Sequence, residues 1–154
     1  RGDDFRRTRQ VQRSGQGWIG PPAATQRAMR QVWADVSGNA RWGSFADLRR
    51  ATTETAHTDL ISDLGALDHL FVENVAIADT DDAFRLLRVV DALYLHDKAP
   101  TLHFTAEQPP KDWFAPEQHA GIARAVAKKF DRTVSRLHAL CQIRTVEPDG
   151  ASQP

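Results

Sequence analysis

One cysteine, one methionine and one tyrosine stand in 154 residues. A lone Cys141 forms no internal disulfide, so packing must hold the chain together, and so few thiols suit a reducing compartment; the expected location is cytoplasmic. Long apolar runs are missing as well, and none approaches the roughly 18 residues of a membrane span. Arg1, Asp3, Asp4, Arg6 and Arg7 crowd the start with charge, which is not the pattern of a secretory leader. Net charge is zero, which excludes a uniformly basic or acidic protein. What is present, 41% hydrophobic and 26% charged residues, is the composition of one globular domain and excludes collagen-like, coiled-coil and disordered classes.

The zero sum hides segregation. Residues 1–50 carry ten Arg against four Asp (+6), residues 51–97 ten acids against Arg85 and Arg88 (−8), and residues 120–144 six bases against Asp131 (+5). Such blocks are either mutual complements inside the fold or faces that meet charged partners.

Residues 1–20 mix Arg and Gln with glycines and show no sustained apolar period, which reads as an irregular basic arm. A single α/β domain follows over 21–144, and 145–154 reads as a flexible tail. Pro21 and Pro22 open a helix whose Ala24, Ala28, Val32 and Val36 share one face until Ser37-Gly38-Asn39 stops it. Trp42 to Leu48 reads as a turn with Ser44 as a cap. A second helix is expected at about His57 to Leu67, and a buried strand at His69 to Ile77. Asp82 to His96 is apolar around most of its circumference, a buried helix, and Thr101 to Ala106 is a short second strand. Strand, four-turn helix and strand within forty residues predict a parallel β-α-β unit, hence a small parallel sheet flanked by helices. The last helix, about Glu117 to Ile143, places Val126, Phe130, Val134, Leu137 and Cys141 on one stripe. Cys141 belongs to the core on this pattern. Trp113-Phe114, after Pro109-Pro110, either seals the sheet edge or covers a partner's groove.

Arg132 and Arg136 lie four apart on the face opposite that stripe, where two guanidinium groups can converge on one anion with Lys128 and Lys129 beside them. The competing reading is a solvated basic face. Six histidines show no zinc-type spacing, so no metal site is expected. Nothing matches Gly-x-x-x-x-Gly-Lys-Ser/Thr, and no strand ends in a paired acidic Mg²⁺ site, so no catalytic residue is assigned and the chain alone should not hydrolyse ATP.

Two segments carry a family resemblance: Phe84-Arg85-Leu86-Leu87-Arg88-Val89-Val90-Asp91-Ala92-Leu93-Tyr94, and Lys128-Lys129-Phe130-Asp131-Arg132-Thr133-Val134-Ser135-Arg136-Leu137. Both resemble the C-terminal portion of the ZapE family, AFG-type P-loop ATPases of the AAA+ kind, which close on an aromatic residue, Arg-Thr or Arg-Ala, and Ser-Arg-Leu. Asp3-Asp4-Phe5-Arg6 resembles the family's Asp-Tyr-Arg, and Phe45-Ala46-Asp47-Leu48 its Phe-x-x-Leu-Cys, with Arg49 in the cysteine's place. A proline expected near Val75-Ala76 is missing. The resemblance implies the C-terminal part of an ATPase whose full-length form binds ATP and Mg²⁺, in bacteria in a role linked to cell division. The partners implied are an upstream ATPase core, in the same chain or a partner subunit, a cell-division protein, and further copies of the protein in a homo-oligomer. Arg132 and Arg136 become candidate nucleotide contacts. The alternative is a non-catalytic module that binds protein or nucleic acid through its basic segments.

Overall fold

A computed structural model describes residues 15–54, 57–114 and 124–148. The expectations for residues 1–14 and 149–154, and for the helix before residue 124, lie outside the described residues. In chain order the elements are β1 (Gly15–Ile19), α1 (Pro22–Asp35), β2 (Ala40–Ser44), α2 (Phe45–Glu54), α3 (His57–Gly65), β3 (His69–Glu73), α4 (Thr80–Leu95), β4 (Thr101–Ala106), a 3₁₀ turn (Pro110–Asp112), α5 (Arg124–Leu140) and β5 (Cys141–Thr145). The five strands form one parallel sheet in the order β2-β3-β4-β1-β5.

The expected β-α-β unit is present: β3 and β4 pair in parallel, His69 opposite Thr101 and Phe71 opposite His103, with α4 between them in sequence. Three strands correct the sequence reading. Residues 15–19 are not part of an irregular arm but β1, an interior strand between β4 and β5. Its two glycines hide it from any hydrophobic pattern, yet the packing demands them, because a Cβ on Gly17 would clash with the Phe104 ring. The segment Trp42 to Leu48 is not a turn: Ala40–Ser44 is an edge strand and Phe45 opens α2 directly after it. The last helix stops at Leu140 rather than Ile143, and Cys141–Thr145 continues directly into the other edge strand beside β1.

Ser44 does cap a helix, as its sequence context implies. Its hydroxyl accepts the Asp47 N–H at 3.1 Å while the Asp47 carboxylate accepts the Ser44 N–H at 3.0 Å, a reciprocal cap that starts α2. These bonds lower the Asp47 pKa, the Ser44 backbone N–H first among them. At α4, Asp79 accepts from the Asp82 N–H at 2.8 Å, so the helix opens at Thr80.

Alternate residues of β3 face two cores. Leu70 and Val72 join Ile19, Leu102 and Phe104 against α2, α3, α4 and α5, whereas Phe71 packs with Trp18 and Met29 beneath α1. Trp113 and Phe114 are packing residues: Trp113 meets Phe104 edge-on at 5.6 Å and Phe114 stacks on Phe130 at 4.8 Å. Since β4 is an interior strand, Trp113 seals the face of the sheet and not its edge.

The charge blocks complement one another within the fold. Arg49 of the basic first third reaches Asp82 at 3.3 Å, and Arg136 of the basic last helix reaches Asp91 at 2.6 Å. Both acids belong to the acidic middle.

Candidate functional site

Ligands of open parallel sheets settle at the carboxyl ends of the strands, and a phosphate loop is a strand–loop–helix unit whose amides cradle the anion. In this chain β1 passes into α1 through Gly20 and Pro21 alone. Pro21 and Pro22 have no N–H to give. The Gly20 N–H is spent on Ala106 O (2.9 Å), and the Thr25 N–H and hydroxyl both turn back to Pro21 O (3.0 and 3.1 Å). Gly20 holds φ near 153°, and a Cβ there would meet the Val146 carbonyl, so the end of β5 closes over the turn. The β1–α1 turn is therefore too short and too proline-rich to form a glycine-rich loop that cradles a polyphosphate, and in the first turn of α1 only the Ala23 and Ala24 N–H groups are left.

The acid that closes β3 is committed elsewhere too. Glu73 Oε2 accepts from Gln26 Nε2 and from Trp42 Nε1, each at 3.0 Å. Next to it Asn74 takes φ 59° and donates its N–H to the Thr105 hydroxyl at 2.9 Å, tying the ends of β3 and β4 together. Beyond them lies an open cavity of about 290 Å³ lined by Asn74, Val75, Ile77, Glu107, Asp112 and Trp113. Its two carboxylates repel phosphate.

The cations named from the sequence sit on α5. Arg132 is exposed, and so are Lys128 and Lys129. Arg136 turns toward α4: its guanidinium bonds Asp91 Oδ1 at 2.6 Å and lies 5.0 Å over the Tyr94 ring. The two arginines thus have different surroundings, one in solvent and one clamped between helices.

Among the histidines, His69 and His103 meet on the α1 face of the sheet, Nδ1 to Nε2 at 3.2 Å. Alternation along β3 and β4 places both on that face, but only parallel pairing brings them together, and neither strand alone announces it. His103 is buried, its Nδ1 has no partner among the described residues, and its pKa falls to about 4, first through desolvation and then through His69. No group of three or more metal-ligating side chains occurs among the described residues. The thiol of Cys141 is buried, donates to Leu102 O at 3.3 Å, and burial drives its pKa far up; it is no nucleophile. No described helix is long and apolar enough to cross a membrane.

By sequence, no family model and no curated protein matches the chain. Solved structures do match by shape. The DnaC helicase loader superposes with a TM-score of 0.59 at 9% identity over 90% of this chain and 81% of that one. A primosome component from Streptococcus pyogenes serotype M3 gives 0.58 at 13% identity over 88% and 69%. The replication initiator DnaA, bound to AMPPCP and single-stranded DNA, gives 0.54 at 12% identity over 88% of this chain, which spans only 41% of that initiator's length. At such identities the likeness shows the fold alone, a parallel sheet flanked by helices shared with a helicase loader and a replication initiator.

Proposed function

We propose that this chain is an AAA+-type domain without a phosphate loop of its own, from the C-terminal region of a ZapE-like ATPase. The observation that carries the proposal is a sheet of ATPase type whose β1–α1 turn is two residues long and blocked by prolines, in a sequence with the ZapE-like segments 84–94 and 128–137. ATP and Mg²⁺ belong to an upstream core, in the same chain or a partner subunit, and the cell-division role and cytoplasmic location follow the family resemblance. This domain supplies packing and arginines. The exposure of Arg132 on α5 supports its assignment as the phosphate contact, while Arg136 holds α5 on α4 through Asp91. An arginine that meets transition-state charge is worth ~10³-fold or more in the best-known phosphoryl transfers.

The experiment compares ATP turnover by the purified 154-residue chain with that of the longer protein read from the same open frame. The chain alone should show no turnover, and the longer protein should turn ATP over and lose most of that rate on Arg132→Ala. Turnover by the chain itself that survives stringent purification, or a longer frame with no phosphate loop, overturns the proposal.

A further inference from the structure

Helices α4 and α5 run side by side in the same direction. Phe84 meets Phe130 at 5.3 Å near their starts, and seven and six residues later Asp91 meets Arg136 at 2.6 Å. These two contacts fix the register of everything between. Arg88 precedes Asp91 by three residues and Arg132 precedes Arg136 by four, which sets them about 4.5 and 6 Å back along their axes, one turn before the clasp. Lys129 lies a further turn back on the stripe of Arg136. Arg88, Lys129 and Arg132 are all exposed, and no ion pair or hydrogen bond joins their side chains to any described residue.

We infer that Arg88 and Arg132, with Lys129 beside them, form a phosphate-binding site across the α4–α5 groove, with Arg88 and not Arg136 as the second arginine. Asp91, the acid closest in register, is consumed by Arg136, so no described residue in the groove neutralises the other three cations. Like charges gathered on neighbouring helices repel one another and favour an anion that bridges them. Two guanidinium forks approaching from two helices suit the several oxygens of a polyphosphate better than a single carboxylate. Tyr94, under the Arg136 guanidinium, and Phe84, against Phe130, brace the groove at either end, so the helices present the cations at a fixed spacing. The source of the phosphate, a nucleotide bound by the neighbouring core, rests on the function proposed above; the chemistry of the site does not.

The test titrates inorganic triphosphate, ATP and a twelve-residue oligothymidylate into the full 154-residue chain, read by calorimetry and by NMR of the arginine side chains. Triphosphate and ATP should bind with the Arg88 and Arg132 signals moving together. Arg88→Ala and Arg132→Ala should each weaken binding at least fivefold, while Arg41→Ala on β2 changes nothing. Wild-type affinity in a folded Arg88→Ala variant overturns the site. Oligothymidylate binding more tightly than triphosphate, with the same arginine dependence, overturns the nucleotide as source and assigns the phosphate to a nucleic-acid backbone. If the longer protein proves to have no ATPase activity but the chain still binds triphosphate through both arginines, the functional proposal falls and the site stands.

Discussion

His69 and His103 share one hydrogen bond across two parallel strands, Nδ1 to Nε2 at 3.2 Å, with the His103 ring stacked at 4.5 Å on Phe71. Only one proton fits between the two facing nitrogens, and a charge on the His103 ring would be buried beneath α1. His103 is therefore neutral in the folded chain at neutral pH.

That neutrality gives stability a defined pH dependence. The His103 pKa falls from 6.5 to about 4 on folding, so the unfolded chain takes up its proton first as pH drops. Below pH 6.5 the unfolded state binds more protons than the folded one, and stability is lost progressively until about pH 4. The full cost is on the order of 3 kcal/mol. Urea midpoints measured between pH 7.5 and 4.5 should fall along this curve, and His103→Gln should flatten it. An unchanged slope in that variant would mean the loss comes from other groups.

Gly17 should not tolerate a methyl group. A Cβ there runs into the Phe104 ring of β4, which is itself held edge-on by Trp113 and cannot move aside. Gly17→Ala should cost about 1–3 kcal/mol, the usual penalty of overpacking. Thermal unfolding of the variant checks it, with Gly43→Ala, whose Cβ would meet only Asp47 at 3.4 Å or more, as the milder comparison.

The contrast between these strands explains what the sequence reveals. β3 and β4 are legible because buried parallel strands read as continuous β-branched and aromatic runs, as Leu70-Phe71-Val72 does. β1 is illegible because crowding at the sheet centre replaces its inward side chains by glycine, and β5 because it begins where a strong amphipathic helix ends, with no turn residue between Leu140 and Cys141. The paired carriers of charge divide the same way. Arg132 and Arg136 are visible as an i, i+4 pair, but Asp91 as the partner of Arg136, and Arg88 as the neighbour of Arg132, follow only from the parallel register of α4 and α5, which no local pattern encodes.

Asp82 should be costly to remove. It is buried near the start of α4, accepts the Ala78 N–H at 3.2 Å, and faces Arg49 at 3.3 Å and Arg85 at 3.5 Å. Truncation strands the Ala78 backbone donor and takes away the carboxylate that the Arg49 and Arg85 guanidinium groups face. Asp82→Ala should lose about 3 kcal/mol, within the range for breaking a buried pair, as measured by denaturant unfolding. A loss below 1 kcal/mol would show that water replaces the carboxylate there.

Arg136 and Arg132 should separate cleanly in stability, although the sequence presents them as a pair. Arg136 is largely buried, bonded to Asp91 and stacked over Tyr94, so Arg136→Ala removes an interhelical tie and leaves a half-covered carboxylate behind. The expected loss is about 1–2 kcal/mol, above the ~0–1 of an exposed ion pair because the geometry is short and shielded. Arg132 stands in solvent with no partner among the described residues, so Arg132→Ala should change stability by less than about 0.5 kcal/mol. A double-mutant cycle with Asp91→Ala isolates the tie: coupling of about 1 kcal/mol or more is expected for Arg136 and none for Arg132. Equal coupling of both arginines to Asp91 would mean that the carboxylate is shared, that Arg132 is not free to meet an anion, and that the groove is already neutralised from within.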